Sequence, residues 1–322
     1  MDFTVVIPSR NRPELLRDAL SSVLAQSHPS LEIIVVNDGS DGEFEQAYAA
    51  LATEFENRVR FLNLEHTSNG HGSSYAINRG VDIAQSEFVC FLDDDDYWID
   101  SIHLERARQA LNAEGVDAYY TNQEAYRGDH RVNGAIWLEG LDAIIERRSG
   151  KDADGFYTAT VVDLMACKGF GHLNTSVVRR SLYLSIGGMD ENIRYENDWD
   201  FYLRTIDSAN CIRFYPGITS HHNAPDPTKK LNLSTAVSLL QKLLFRSYVL
   251  DKAILFAKSP AIRESARTNK IQTLKKMAEL LACEGKYRQA YTYAREAGIR
   301  FADIKWHIFS AYLFFKGLLT NQ

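Results

Sequence analysis

Four consecutive aspartates, Asp93–Asp96, follow the apolar run Phe88–Leu92 and precede the aromatic pair Tyr97–Trp98. Carboxylates crowded at one point of a chain repel one another. A divalent cation, which takes carboxylate oxygens, would reverse that balance. In an extended chain Asp93 and Asp95 point one way and Asp94 and Asp96 the other, so the run can offer an Asp-x-Asp pair to one ligand. On residue type alone it also reads as an acidic, solvated turn. The buried-strand pattern before it and the aromatic pair after it favour a site at a strand's C-terminal end.

The elements that must position this run follow from periodicity. Phe3–Ile7, Leu31–Val36 and Val59–Leu64 read as apolar strands. Between them, helices are expected from Pro13, which sits where proline starts helices, and over 43–56. A loop, 67–73, leads to a helix through Ala76, Ile77 and Val81, capped by Ser73 or Ser74, and then to the strand before the aspartates. Strands alternating with helices predict an open, mostly parallel α/β sheet, whose ligands bind outside the strands' C-terminal ends. Ser9–Asn11, Asp38 and Asp93–Asp96 all fall at such ends. Further strands are expected at 118–121, 173–178 and 211–215, the last ended by Pro216, with a loop or linker over 216–230. Residues 122–168 show no readable pattern. From Leu231 onward only helical patterns appear, broken at Pro260, Gly285 and Gly298.

Charge divides the chain of 322 residues, which is long enough for two domains. The stretch from Lys229 holds 17 Lys+Arg against 6 Asp+Glu, a net of +11, whereas the remainder holds 19 against 36, a net of −17. The two parts therefore suit different partners. The last helical stretch, from Ile304 to Leu319, is apolar nearly all round, which means burial in a core, a partner groove or an interface. Its expected partners are an anionic membrane surface or, equally, a core or dimer contact. Cys90, Cys167, Cys211 and Cys283 form no Cys-x-x-Cys pair and read as free thiols in a reducing compartment. The start resembles no signal peptide and no uncharged run of about 18 apolar residues occurs, so a cytoplasmic chain is expected.

VVIPSRNRP, EIIVVNDGSDG and FLDDDDYW, in this order and at these intervals, resemble family 2 glycosyltransferases of the GT-A fold. GGMDE (Gly187–Glu191) and ENDWDFYLR (Glu196–Arg204) are similar to that family's acceptor-side and catalytic-base motifs. The resemblance implies a Rossmann-like, mostly parallel sheet flanked by helices over residues 1–228, with an all-helical extension over 229–322. It implies inverting transfer of a sugar from a nucleotide-sugar to a hydroxyl of a glycan or lipid-linked acceptor, in cell-surface polysaccharide synthesis, assisted by Mn2+ or Mg2+.

Carried onto this sequence, the resemblance puts Pro8, Ser9 and Arg10 around the base and ribose. Asp38 accepts a hydrogen bond from the base, which suits a pyrimidine imide and so uridine. Gly72, Asn78 and Arg79 approach the nucleotide, with Arg79 otherwise a solvated helix residue. Asp93 and Asp94 contact ribose and sugar, and Asp95 and His222 hold the metal, His221 being the other candidate. Asp198 is the general base. Gly187, Gly188 and Trp199 lie on the acceptor side. Asn197 stands where the family commonly has an acidic residue, which leaves Asp198 in register but alters its surroundings. Asp200 is expected to support structure, paired with Arg204 at i+4. No nucleic-acid partner is expected, peripheral association with the inner face of the plasma membrane is, and oligomeric state is left open. A nucleotidyltransferase would need a Gly-rich loop after the first strand, and PSRNRP has none. A non-catalytic nucleotide-sugar or glycan-binding module of the same fold is the alternative.

Overall fold

The computed structural model describes residues 1–132, 137–226, 228, 233–299 and 303–320. The chain forms two compact units, Met1–Asp226 and Pro227–Gln322.

The first unit is built on one ten-stranded sheet: β1 (Phe3–Ser9), β2 (Leu31–Asn37), β3 (Arg60–Asn63), β4 (Phe88–Phe91), β5 (Tyr97–Trp98), β6 (Val116–Arg127), β7 (His130–Arg131), β8 (Tyr157–Ala159), β9 (Ser176–Arg179) and β10 (Cys211–Asn223). The order is β3-β2-β1-β4-β9-β6-β10-β5, with β7 on β6 and β8 on β10. β1, β2, β3 and β4 run parallel, and every residue of β1 is buried, as the continuous apolar run requires of a strand covered on both faces. β9 then enters antiparallel between β4 and β6, making the sheet mixed. Helices Pro13–Leu24 and Ser73–Ile83 supply the apolar stripes Leu16, Ala19, Leu20, Val23 and Ala76, Ile77, Gly80, Val81.

Two departures from the sequence pattern matter for the site. The first is at Asp93–Asp96, where the chain is not extended. The Asp96 amide bonds back to the Asp93 carbonyl at 3.2 Å, so a tight turn fans the four side chains in different directions instead of alternating them. The second is at Pro216, which does not end β10. Proline removes one ladder donor, and the register shifts between Phe214 and Ile218 and again before Ser220; the strand then resumes to Asn223. β5 pairs antiparallel with this resumed half, Tyr97 opposite His221 and Trp98 opposite Ser220. That register also brings Asp96 and His222, 126 positions apart in sequence, to the same place.

The unreadable stretch after residue 121 is strand at first, because β6 continues to Arg127. Thr121, Asn122 and Gln123 are buried there, so polar side chains inside the fold erase the apolar alternation.

The second unit is helical throughout its described residues: Leu233–Ala236, Leu239–Phe256, Pro260–Cys283, Tyr287–Ile299 and Ile304–Leu319. Breaks fall before Pro260 and at Gly285, whose φ of +76° ends a helix at a cost only glycine avoids. The break expected at Gly298 falls after it, because Gly298 is buried inside its helix. Ala278, Leu281, Ala290, Ala294 and Trp306 share one apolar cluster.

Candidate active site

Asn11 adopts φ +59°, which asparagine tolerates better than most residues. Its side chain ties the end of β1 to the turn after β2, donating to Asp41 Oδ2 at 2.7 Å and accepting from the Asp41 amide at 2.8 Å. This fixes Arg12 just ahead of the Pro13 helix and aims its guanidinium at the aspartate turn. One nitrogen lies 2.5 Å from Asp94 Oδ1 and the other 2.8 Å from Asp95 Oδ2. Ser9 ends β1 with its hydroxyl 2.6 Å from the Tyr48 hydroxyl.

Asp96 is 1% exposed and accepts from three sides: His222 Nδ1 at 2.7 Å, Asn174 Nδ2 at 2.6 Å and the Asn223 amide at 2.7 Å. Burial pushes this carboxyl up, but the His222 hydrogen bond and charge with the Asn223 amide outweigh it and hold Asp96 below the usual range. Asp93, Asp94 and Asp95 go the other way: burial raises all three, Asp94 to about 7, and their mutual charge adds to it. His222 loses proton affinity to burial, yet its Asp96 bond and the charges of Asp93 and Asp95 bring it up to about 9. Arg12 and His222 are thus the resident cations of the aspartate turn. His221, on the other face of β10, is sandwiched between the rings of Tyr97 (4.5 Å) and Tyr126 (4.6 Å).

Across this turn stands Asp198, in the first turn of helix Asn197–Ser208. Its Oδ1 accepts from the Trp199 amide at 2.8 Å, and burial raises its pKa. Beside both acidic groups sits His172, which no motif in the sequence marks. Its Nε2 is 3.7 Å from Asp198 Oδ2 and 3.9 Å from Asp93 Oδ2, and its ring meets His222 edge-on at 5.4 Å. Burial drives its pKa down to about 3, so the ring is neutral. The Asn174 amide donates to Nδ1 at 3.4 Å, which assigns the proton to Nε2, facing both carboxylates. These separations exceed a hydrogen bond; with four acceptor sites on a carboxylate, Asp198 keeps capacity toward a substrate.

The remaining expected residues divide. Asp38, 5% exposed, accepts from the His71 and Gly72 amides at 2.9 and 2.8 Å and meets His71 Nδ1 at 2.9 Å, so it anchors the loop before helix Ser73–Ile83. Gly70 is packed so closely that a Cβ would lie 2.6 Å from Asp38 and 2.8 Å from Arg10 Cδ. Arg10 donates to the Thr67 carbonyl and to Asp41, and Pro8 is buried in β1. Gly72 caps the helix at φ +104°.

The Asn78 amide is engaged by Tyr183 and, in the GGMDE loop, by Met189 and Glu191. Arg79 pairs with Asp82 at 2.8 Å and lies over the Tyr75 ring. Gly188, at φ +63°, packs where a Cβ would lie 2.6 Å from Asn78, whereas Gly187, at φ +82°, faces open space. Trp199 is half-buried beside Asp198. Asp200 pairs with Arg204 at 2.8 Å, as the i+4 spacing predicts, and Arg204 also donates to the Ile186 and Gly188 carbonyls.

Among the described residues no three His, Cys, Asp or Glu side chains stand arranged as a metal site. The donor chemistry nevertheless suits a hard divalent cation: carboxylates crowded beside the imidazoles of His172 and His222, raised by burial and by one another's charge, with Arg12 and His222 supplying cationic charge at the turn.

A sheet whose parallel half gathers acidic side chains at its C-terminal ends, next to a loop tied by a buried aspartate, defines a ligand-binding α/β enzyme fold. The family model "Glycosyl transferase family 2" matches residues 4–166, and the chain belongs to that family. It is 32% identical over 208 residues to the amylovoran biosynthesis glycosyltransferase AmsB of Erwinia amylovora, a match covering 63% of this chain and 64% of that protein. The match thus spans less than two thirds of that relative's length. Among solved structures, TarS 1–349 of S. aureus in complex with UDP-GlcNAc aligns with a TM-score of 0.66 over 93% of this chain and 81% of that one, at 18% identity. The mannosyltransferase PcManGT of Pyrobaculum calidifontis, in complex with GDP-Man and Mn2+, aligns with a TM-score of 0.59 over 98% and 86%, also at 18% identity. These neighbours establish the GT-A fold.

Proposed function

We propose that the chain is an inverting glycosyltransferase that moves a sugar from a nucleotide-sugar, UDP-linked, to a hydroxyl of a glycan or lipid-linked acceptor in polysaccharide synthesis. The observation that carries this reading is the pair of acidic groups that meet at His172 Nε2: Asp198 at 3.7 Å and Asp93 at 3.9 Å. An inverting displacement needs an acceptor-side base near the donor-side groups, and Asp198 and Asp93 both lie within 4 Å of the same His172 nitrogen. Asp198, raised by burial, removes the acceptor's proton as the new bond forms. Neutral His172 packs against that carboxylate with Nε2 3.7 Å from it, and the Trp199 amide holds its orientation. Asp93 and Asp94 meet ribose and sugar, while Ser9, Arg10 and the Asp38-anchored loop line the nucleoside. Asp95 and His222 would hold a divalent cation, Asp96 on Nδ1 leaving Nε2 as the ligating atom. Such a cation supplies charge to the departing diphosphate.

The test is a melting screen of UDP-, GDP- and dTDP-sugars with Mn2+ or Mg2+, since a ligand of the folded state raises the midpoint. Transfer from the best donor follows, with the product's anomeric configuration read by NMR. Stabilisation by a UDP-sugar and an inverted product are expected. A retained configuration overturns the mechanism; binding without transfer across a broad acceptor panel favours the non-catalytic module.

A further inference from the structure

We propose that helix Ile304–Leu319 docks the chain on an anionic lipid surface, lying flat on it with one apolar face inserted. The sequence shows this helix as apolar nearly all round; the structure separates its faces. Trp306, Ser310, Leu313 and Gly317 form one buried row. Trp306 Nε1 donates to the Ala294 carbonyl at 2.9 Å, and Arg288 Nε donates to the Gly317 carbonyl at 3.1 Å, which fixes the helix's rotation. The opposite row, Ile304, Ile308, Tyr312, Phe315 and Leu319, faces solvent, from 48% to 83% exposed. Among the described residues, seven of the twenty exposed large hydrophobic side chains lie on this one helix of 16 residues. That density makes a contiguous patch, not the scattered apolar surface every protein carries.

Charge selects the occupant. Lys305 and Lys316 are eleven residues apart, three helical turns, so they share one edge of the apolar face. Their stems can lie along the apolar boundary while the ammonium groups reach headgroups. The stretch from Lys229 carries 17 Lys+Arg against 6 Asp+Glu, a net of +11. A second copy would bring a stretch of the same net charge and Lys305 and Lys316 of its own, whereas anionic headgroups attract both. No described helix is long and apolar enough to cross a membrane, which leaves an in-plane arrangement as the one this amphipathic helix suits. The inference is independent of the sugar-transfer reading, because vesicle binding needs no substrate.

The full chain is floated on a sucrose gradient with extruded phosphatidylglycerol–phosphatidylethanolamine vesicles at low salt, and separately with phosphatidylcholine vesicles. It is expected to rise with the anionic vesicles and remain below with the neutral ones. Ile308→Glu with Phe315→Glu, both at exposed positions and checked by an unchanged melting midpoint, should cut the vesicle-bound fraction by about tenfold. Lys305→Glu with Lys316→Glu should cut it less and weaken its dependence on added salt. A native chain that stays below with anionic vesicles overturns the proposal, as does equal flotation of the Ile308→Glu/Phe315→Glu variant. A dimer in size-exclusion light scattering that this variant dissociates without lipid also overturns it, and assigns the face to a second copy.

Discussion

The two acidic groups that face His172 are held by opposite means. The Asp93–Asp96 turn is charge-compensated: Arg12 spans Asp94 and Asp95, and His222, held at about 9, sits on Asp96. Asp198 is paired with no arginine or lysine among the described contacts; a backbone amide and a neutral histidine are its neighbours, and burial alone lifts its pKa. The difference teaches how one fold can give carboxylates two tasks. Burial raises Asp93, Asp94 and Asp95 as well as Asp198, so the groups differ in their partners: at the turn His222 holds Asp96 below the usual carboxylate range, while Asp198 has, among the described contacts, only a backbone amide as its hydrogen-bond donor.

The comparison breaks most sharply at Asp95. Asp95→Ala removes the oxygen shared with Arg12 and proposed for the cation. The expected result is that Mn2+ no longer adds to the melting-point rise given by UDP, and transfer falls to background. The fold should persist, because the turn keeps its Asp96 anchors to His222, Asn174 and Asn223. A variant with full activity and an unchanged Mn2+ effect removes Asp95 from the donor side.

On the uncompensated side, Asp198→Asn keeps the shape and the Trp199 amide bond but cannot take a proton. Donor affinity should stay near native while turnover drops about a hundredfold to ten-thousandfold. Turnover within a few-fold of native would send the search for the base to Glu196 or Asp190.

His172 sharpens the contrast through pH. A base must be ionised, and burial raises the Asp198 pKa, so the acid limb of the rate profile lies above the ordinary carboxylate range of about 4. His172→Ala admits water beside Asp198 and reduces that burial. The limb should then move toward lower pH while the maximal rate falls by about tenfold from lost orientation. A fall in rate with an unmoved limb would make His172 a packing residue only.

The sequence displayed the donor side better than the rest because its signals are local. β1, β2 and β4 are continuous apolar runs, each stopping where a polar site residue begins. Arg12 escaped notice although charge balance demanded a cation for four aspartates and the preceding motif holds two arginines. His172 was harder. It caps a 3-10 turn, Leu173–Thr175, ahead of β9, and the antiparallel insertion of β9 beside β4 brings it to the aspartates. Nothing in GHLNTS states that pairing, although Asn174, Thr175 and Ser176 inside an apparent apolar strand mark a buried polar stretch. His222 was visible as a residue but not as a neighbour of Asp96, because Pro216 hid the resumption of β10.

The smallest expected effect concerns Asn78, which resemblance puts near the nucleotide and the structure puts at a joint. Its Oδ1 accepts from the Tyr183 hydroxyl at 2.6 Å and the Met189 amide at 2.9 Å; its Nδ2 donates to the Met189 carbonyl at 3.0 Å and Glu191 at 2.8 Å. Tyr183 is 2% exposed, so its hydroxyl would lose this partner where water is scarce. Gly188 turns at φ +63° directly against the amide, so the GGMDE loop is shaped around it. Asn78→Ala should therefore cost about 1–3 kcal/mol of stability from unpaired buried groups, read as a midpoint lowered by roughly 2–4 °C for each kcal/mol in a unit of this size. Since Asn78 touches the acceptor-side loop and not the aspartate turn, UDP affinity should stay within about twofold of native while acceptor KM rises. A variant with native stability and weakened UDP binding would reverse the assignment and return Asn78 to the donor side, erasing one of the distinctions between the two acidic groups.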